Sequence, residues 1–218
     1  MVSLPPPPPD DKIRILACDP GTTTLGLSVI EVDFDNPTQI PHVVWSDTIE
    51  VKNPRVEDSL FQIDGGRGWR MEEIEKQMVS VIEFAQPNFF ITETPFMSRG
   101  KMSAYESGIQ LQTMILSAVR SLSLTMNVYG INPITVKHYV GVDHIGTDKE
   151  DIKKAVIGLF KDSTDIDLST LDEHSIDSIA VGHYFWRYEL LELPALFIRV
   201  KKPKSTTKRR RRRKGKKK

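Results

Sequence analysis

Residues 12–18 read as a short apolar strand, Lys-Ile-Arg-Ile-Leu-Ala-Cys, that stops at Asp19-Pro20-Gly21, a turn signal. An acid directly behind a run of core residues constrains the fold strongly. Burying a lone carboxylate costs several kcal/mol, so the chain must bring a partner to that strand end. The pattern recurs twice. Glu93 ends the run that begins Phe89-Phe90-Ile91, and Asp177 sits between Ile176 and Ile179-Ala180 on the inward face of a predicted helix. Each acid alone reads as an ordinary turn or cap residue. Three of them from separate elements, converging on one sheet edge, make a cage for hard divalent cations such as Mg²⁺ or Mn²⁺, which take oxygen ligands.

The intervening segments predict a mixed sheet. Residues 25–34 alternate Leu25, Leu27 and Val29 onto one face, and residues 43–51 form a third strand, so three strands make an antiparallel meander. A Gly-rich loop (Asp64, Gly65, Gly66, Gly68) leads into a helix over 71–85, where Ile74, Met78, Val79 and Ile82 recur at helical spacing. Further helices are expected over 103–125, 134–140, 147–160 and 171–190, with strands at 89–93 and 128–131. Thr147 and Glu150 suggest a capping box. The fold class is α/β, a central mixed sheet of antiparallel meander plus parallel strands, flanked by helices.

Charge divides the chain into parts. Residues 201–218 hold 13 of the 30 Lys and Arg and no acid, which leaves residues 1–200 with a net charge of −12. An acidic body with a cationic tail suits a nucleic-acid or anionic-surface partner. The expected organisation is a disordered Pro-rich leader at 1–11, one domain at 12–200 and a disordered polybasic tail at 201–218. The lone Cys18 excludes an intrachain disulfide and a Cys-clustered zinc site. Prolines stand where a signal peptide needs an apolar core, and no apolar run reaches the ~18–20 residues of a membrane span. The expectation is a soluble intracellular protein with no membrane partner, in cytoplasm or nucleoid, or in a nucleus if the tail is a targeting signal.

Ordered motifs sharpen this. Residues 15–30 (ILACDPGTTTLGLSVI) resemble the first motif of the RuvC-type Holliday junction resolvases, within the RNase H-like superfamily. Glu93-Thr94-Pro95-Phe96 resembles the second motif. Thr135-Val136-Lys137 and Gly146-Thr147-Asp148-Lys149 are similar to the two segments that each carry a functional lysine, and residues 174–180 (HSIDSIA) resemble the closing motif. The likeness spans roughly residues 13–188. It implies an RNase H-like fold and a metal-dependent crossover junction endodeoxyribonuclease. It also implies a homodimer that resolves four-way DNA junctions by paired symmetric nicks, without a small-molecule cofactor.

Carried across by resemblance, Asp19, Glu93, His174 and Asp177 become catalytic residues and ligands of two Mg²⁺ or Mn²⁺ ions per site. Lys137 and Lys149 become catalytic contacts to the scissile region, and Phe96 a base-stacking wedge. Many members carry Asp where this chain has His174. Helical spacing alone leaves Glu173 open as a rival, because it stands four residues before Asp177. Two divalent ions about 3.5–4 Å apart are suited to phosphodiester hydrolysis, one activating water and one holding the leaving oxygen.

Arg99 and Lys101, close to Phe96, suit phosphate contacts. In the tail, Lys208, Arg209, Arg210, Arg211, Arg212 and Arg213 can displace counterions from DNA. The apolar face of the helix at 103–125 is the expected dimer interface. The alternatives are another RNase H-like nuclease, acting on branched DNA or structured RNA, and a catalytically silent junction-binding protein. A phosphate loop of actin-like ATPases at Asp19–Thr23 is set aside, because that class duplicates the fold and 218 residues leave no room for a second lobe.

Overall fold

A computed structural model describes residues 2–9, 11–33, 35–52, 59–96, 102–122, 126–139 and 149–193, with backbone alone at 59–65 and 149. Strands β1 (Lys12–Asp19), β2 (Thr24–Asp33) and β3 (His42–Glu50) form the meander. Helix α1 (Ser59–Ala85) returns the chain to β4 (Phe89–Glu93), and α2 (Met102–Leu122) leads to β5 (Asn127–Ile131). Then come α3 (Pro133–Tyr139), α4 (Lys149–Leu159) and α5 (Glu173–Tyr188). The sheet order is β3-β2-β1-β4-β5, antiparallel on the β2 side of β1 and parallel on the β4 side. The expected mixed sheet is therefore present. Among the described residues no helix is long and apolar enough to cross a membrane.

Strand alternation divides the core in two. Ile13, Ile15 and Ala17 face one cluster with α3, α4 and α5, whereas Leu16 and Cys18 face another with α1 and α2. A bulge opposite Val29 and Ile30 gives β3 one extra residue, Val44. It reverses the parity of that strand, so Val43 joins the α5 side and Trp45 the α1 side.

Two expectations are corrected. Gly65, Gly66 and Gly68 do not form a loop; they lie inside α1. Each glycine costs a helix roughly 0.5–1 kcal/mol relative to Ala. Here Trp69 packs on the core, and Arg67 reaches Gln110 of α2 at 3.4 Å, so tertiary contacts override propensity. The leader is not outside the fold either: Val2 is buried in the core, and Ser3, Pro6 and Pro7 are hydrogen-bonded to the body. Helix α5 is shorter than the expected 171–190, the expected helix at 103–125 is described as far as Leu122, and Thr147 lies outside the described residues, as do residues 201–218.

Helix α5 carries both His174 and Asp177, so its seating on the sheet decides where those two side chains stand. Phe185 anchors it, with its ring 5.5 Å from Phe89 and 4.8 Å from Tyr129 between centroids. Phe185→Ala should cost about 3–5 kcal/mol in urea denaturation, the usual range for emptying a buried aromatic site. A loss below about 1 kcal/mol would mean that α5 is held elsewhere.

Candidate active site

The register of the parallel pair places the site. Cys18 pairs with Thr92, so the next residues, Asp19 and Glu93, end adjacent strands side by side. Their parity matches Ala17 and Ile91, which face α5. Helix α5 supplies His174 and, one turn on, Asp177. All four side chains line one cleft of about 240 Å³, together with Glu173, Lys137, Pro133, Val136, Ile152 and Ala180.

Two devices bring the first turn of α5 to this strand end. Asp172 caps the helix, accepting from Ser175 N–H at 3.0 Å, and its other oxygen accepts from the Thr48 hydroxyl on β3 at 2.7 Å. Burial alone would raise the Asp172 carboxyl, but these hydrogen bonds outweigh it and hold the group below its ordinary value. The second device is Gly26, the β2 partner of Asp19. A Cβ there would overlap the His174 carbonyl and stand 2.9 Å from Ser175 N. The helix can approach the sheet here because that strand position has no side chain.

The carboxylates crowd one another. Glu93 is pushed up to about 8 by burial first and then by the charges of Asp19 and Asp177, with Lys137 opposing. Asp177 rises to about 6, again through burial and Asp19, with Lys137 and His174 opposing. His174 Nδ1 lies 2.7 Å from Asp19 Oδ2, and its Nε2 lies 3.7 Å from Glu173 Oε1. The hydrogen bond to Asp19, working against burial, raises the imidazole above its ordinary value. A protonated His174 is thus a counter-cation within the acid cluster. In donor chemistry the set fits a hard divalent ion: oxygen-rich, partly buried and short of positive charge. Among the described residues, no three His, Cys, Asp or Glu side chains already stand close enough to hold one ion together. The donors fit in kind and need to draw inward.

Other expected site residues are spread more widely. Lys137 lines the cleft from α3. Lys149 opens α4, and its side chain is outside the description. Phe96 is 52% exposed three residues beyond Glu93, whereas Arg99, Lys101 and residues 208–213 lie outside the described residues. Of the apolar positions of the helix expected at a dimer interface, Val119 is in the chain's own core, with Leu111, Ile115 and Ala118 beside it, and Leu122 packs against that core, whereas Ile109 is exposed and Leu116 half-buried. Sequence pattern does not single out Thr48, and the only signal for Asp172 is an Asp one residue ahead of a helix.

No protein-family model matches the chain. A curated RuvC of Dehalococcoides mccartyi, a crossover junction endodeoxyribonuclease, is 29% identical over 144 residues, covering 66% of this chain and 76% of its own. RuvC of T. thermophilus in complex with a Holliday junction substrate superposes with a TM-score of 0.59 at 18% identity, over 83% of this chain and 96% of that one. The chain is thus similar to RuvC in sequence and in fold. The yeast mitochondrial Holliday junction resolvase shares the fold as well, with a TM-score of 0.56 at 13% identity, over 85% of this chain and 80% of its own.

The RuvC-like site should carry a measurable charge penalty. Because Glu93 is raised from 4.5 to about 8, the folded chain keeps a proton that the unfolded chain releases. Stability from this group is full below pH 4.5 and is lost as pH rises towards 8. Glu93→Gln should therefore stabilise the metal-free protein at pH 8, by on the order of a few kcal/mol in urea denaturation, and change little at pH 4.5. Equal effects at both pH values would contradict the crowding. Gly26→Ala should cost on the order of 1–3 kcal/mol in urea through overpacking. Gly158→Ala on α4, where an added Cβ meets nothing within 4 Å, should cost nothing. If the two behave alike, the close approach of α5 to β2 is not what Gly26 serves.

Proposed function

We propose that the protein resolves four-way DNA junctions, acting as a divalent-metal-dependent endonuclease that hydrolyses phosphodiesters in paired, symmetric nicks. One observation carries this reading: Asp19, Glu93, His174 and Asp177 line a single cleft at the ends of the parallel strands of a RuvC-like chain. The relatives' activity on Holliday junctions supports the substrate class.

Asp19, Glu93 and Asp177 would hold the metal, with His174 as a fourth donor once it releases Asp19. Bound there, two Mg²⁺ or Mn²⁺ ions would supply Lewis acidity for activating a water and stabilising the leaving oxygen. The protein's own residues do the rest. Lys137 faces the same cleft, where its charge already acts on Glu93 and Asp177, and it meets the anionic scissile phosphate. Lys149 contributes a second ammonium. Burial on α5 keeps bulk water from the inner carboxylates. Phe96, exposed beside the strand end, stacks on a base at the junction point, and Arg99 and Lys101 contact flanking phosphates. Paired nicks require two equivalent sites, hence a homodimer with a self-complementary patch. With Leu111, Ile115, Ala118 and Val119 of α2 committed to the core, exposed Met102 and Ile109 and half-buried Leu116 offer it apolar contacts. The polybasic tail tethers DNA without discriminating sequence.

The deciding experiment offers a synthetic four-way junction, a linear duplex and an RNA–DNA hybrid in Mg²⁺ and in Mn²⁺. Symmetric nicking of the junction with the duplex left intact is expected. Equal cleavage of junction and duplex, or cleavage of the hybrid alone, would replace this reading with another RNase H-like nuclease. Asp19→Asn, Glu93→Gln and Asp177→Asn should each abolish nicking and spare junction binding. His174→Ala should lose activity while Glu173→Gln keeps it; the reverse would place the fourth ligand on Glu173. Deleting residues 201–218 should flatten the slope of log affinity against log salt, by about 0.9 for each lost phosphate contact on duplex. Junction preference should survive. An unchanged slope would leave the tail no role in DNA binding.

A further inference from the structure

Residues 2–9 turn a side chain inward at every third position. Val2 and Pro5 are buried and Pro8 is half-buried, whereas Ser3, Leu4, Pro6, Pro7 and Pro9 face outward. A repeat of three is that of the polyproline II helix; an α-helix repeats at 3.6 and a strand at 2. Polyproline II has no internal hydrogen bonds, so all its carbonyls are available to a receptor.

The body meets this segment in register. Val2 joins the core cluster containing Trp45, Ile49 and Met78, and its N–H donates to Gln77 Oε1 of α1 at 3.0 Å. Ser3 N–H donates to Asp47 Oδ2 of β3 at 2.7 Å, and the Trp45 indole N–H donates to Ser3 Oγ at 2.9 Å. Arg14 completes the set. It is 1% exposed at a strand position where an apolar residue would be ordinary. Glu31 accepts from its Nε at 2.8 Å and from its Nη2 at 2.6 Å, and the Ala85 carbonyl accepts from Nη1 at 3.1 Å. The same two terminal nitrogens donate to successive proline carbonyls, Pro6 at 2.7 Å and Pro7 at 3.1 Å. A buried arginine is costly unless its donors are used. Here the rigid fork matches two consecutive carbonyls.

We propose that Trp45, Asp47, Gln77 and Arg14 form a polyproline II-binding groove, which this chain fills with its own residues 2–9 as an intramolecular ligand. The seated contacts identify the occupant, and so does the short connection to β1, which begins at Lys12. So short a link gives an effective concentration of about millimolar, enough to keep a modest ligand bound. The groove and the cleft lie on opposite faces of the sheet: Asp47 and Thr48 are consecutive on β3, the first holding Ser3 and the second the Asp172 cap of α5.

The test uses the full chain carrying Val2→Asp and Pro5→Gly, which empties the groove and leaves the body unchanged. The Trp45 indole resonance, assigned with Trp45→Phe, reports occupancy. The double variant should shift that resonance and melt several degrees lower. Adding a peptide of residues 1–11 should restore it saturably, and the same peptide bearing both substitutions should not. Wild-type chain should not respond, its groove being full. The proposal is overturned by an unshifted resonance in the double variant, by no response to peptide at millimolar concentration, or by equal responses to both peptides. If the double variant does not fold alone, refolding with the peptide decides: rescue supports the groove and failure of rescue overturns it. Neither readout depends on nuclease activity.

Discussion

Like charges forced together at one strand end organise this molecule. Asp19 and Glu93 are neighbours because parallel pairing leaves the ends of β1 and β4 no other arrangement, and α5 adds Asp177 to the same cleft. Burial first, and then the charge of neighbouring carboxylates, drives Glu93 and Asp177 upwards, so the acids cannot all ionise without a countercharge. The protein answers partly with His174, hydrogen-bonded to Asp19, and partly with Lys137 from α3. The remaining deficit of positive charge is what a divalent cation would fill.

Holding such an arrangement requires a scaffold that does not relax. Helix α5 is fixed at one end by stacked rings around Phe185 and at the other by the Asp172–Thr48 hydrogen bond. Gly26 lets the first turn of the helix descend onto β2, a distance that any Cβ would open. Packing, capping and close approach thus act on one helix, and that helix carries two of the four site residues. On the opposite face of the sheet, the proline segment closes the α1 side and provides partners for the buried guanidinium of Arg14.

Much of this was legible in the chain. The strands announced themselves by alternation, and the acids at positions 19, 93 and 177 stood out because acids rarely follow core runs. The ordered motifs then named a likeness that the fold and a curated relative bear out. What misled was local chemistry read in isolation. Three glycines predicted a loop, yet they lie in α1, where Trp69 and Arg67 dock on neighbouring structure. A run of prolines predicted a free leader, because nothing in that segment shows that an arginine at position 14 awaits its carbonyls.

The sequence by itself determined the mixed sheet, the acids at its strand ends and the division of charge between body and tail. These are properties of short windows, set by side-chain period and by the cost of burying charge. Only the tertiary structure decided which elements meet: that Thr48 braces Asp172, that His174 turns its Nδ1 to Asp19, that Leu111, Ile115, Ala118 and Val119 of α2 serve the chain's own core, and that residues 2–9 lie in a groove. Among these hydrogen bonds, Trp45–Ser3, Thr48–Asp172 and His174–Asp19 join residues 42, 124 and 155 positions apart. Local patterning can show that a residue needs a partner, but only the packed chain selects which one it finds, because that choice depends on the register and close approach of whole elements.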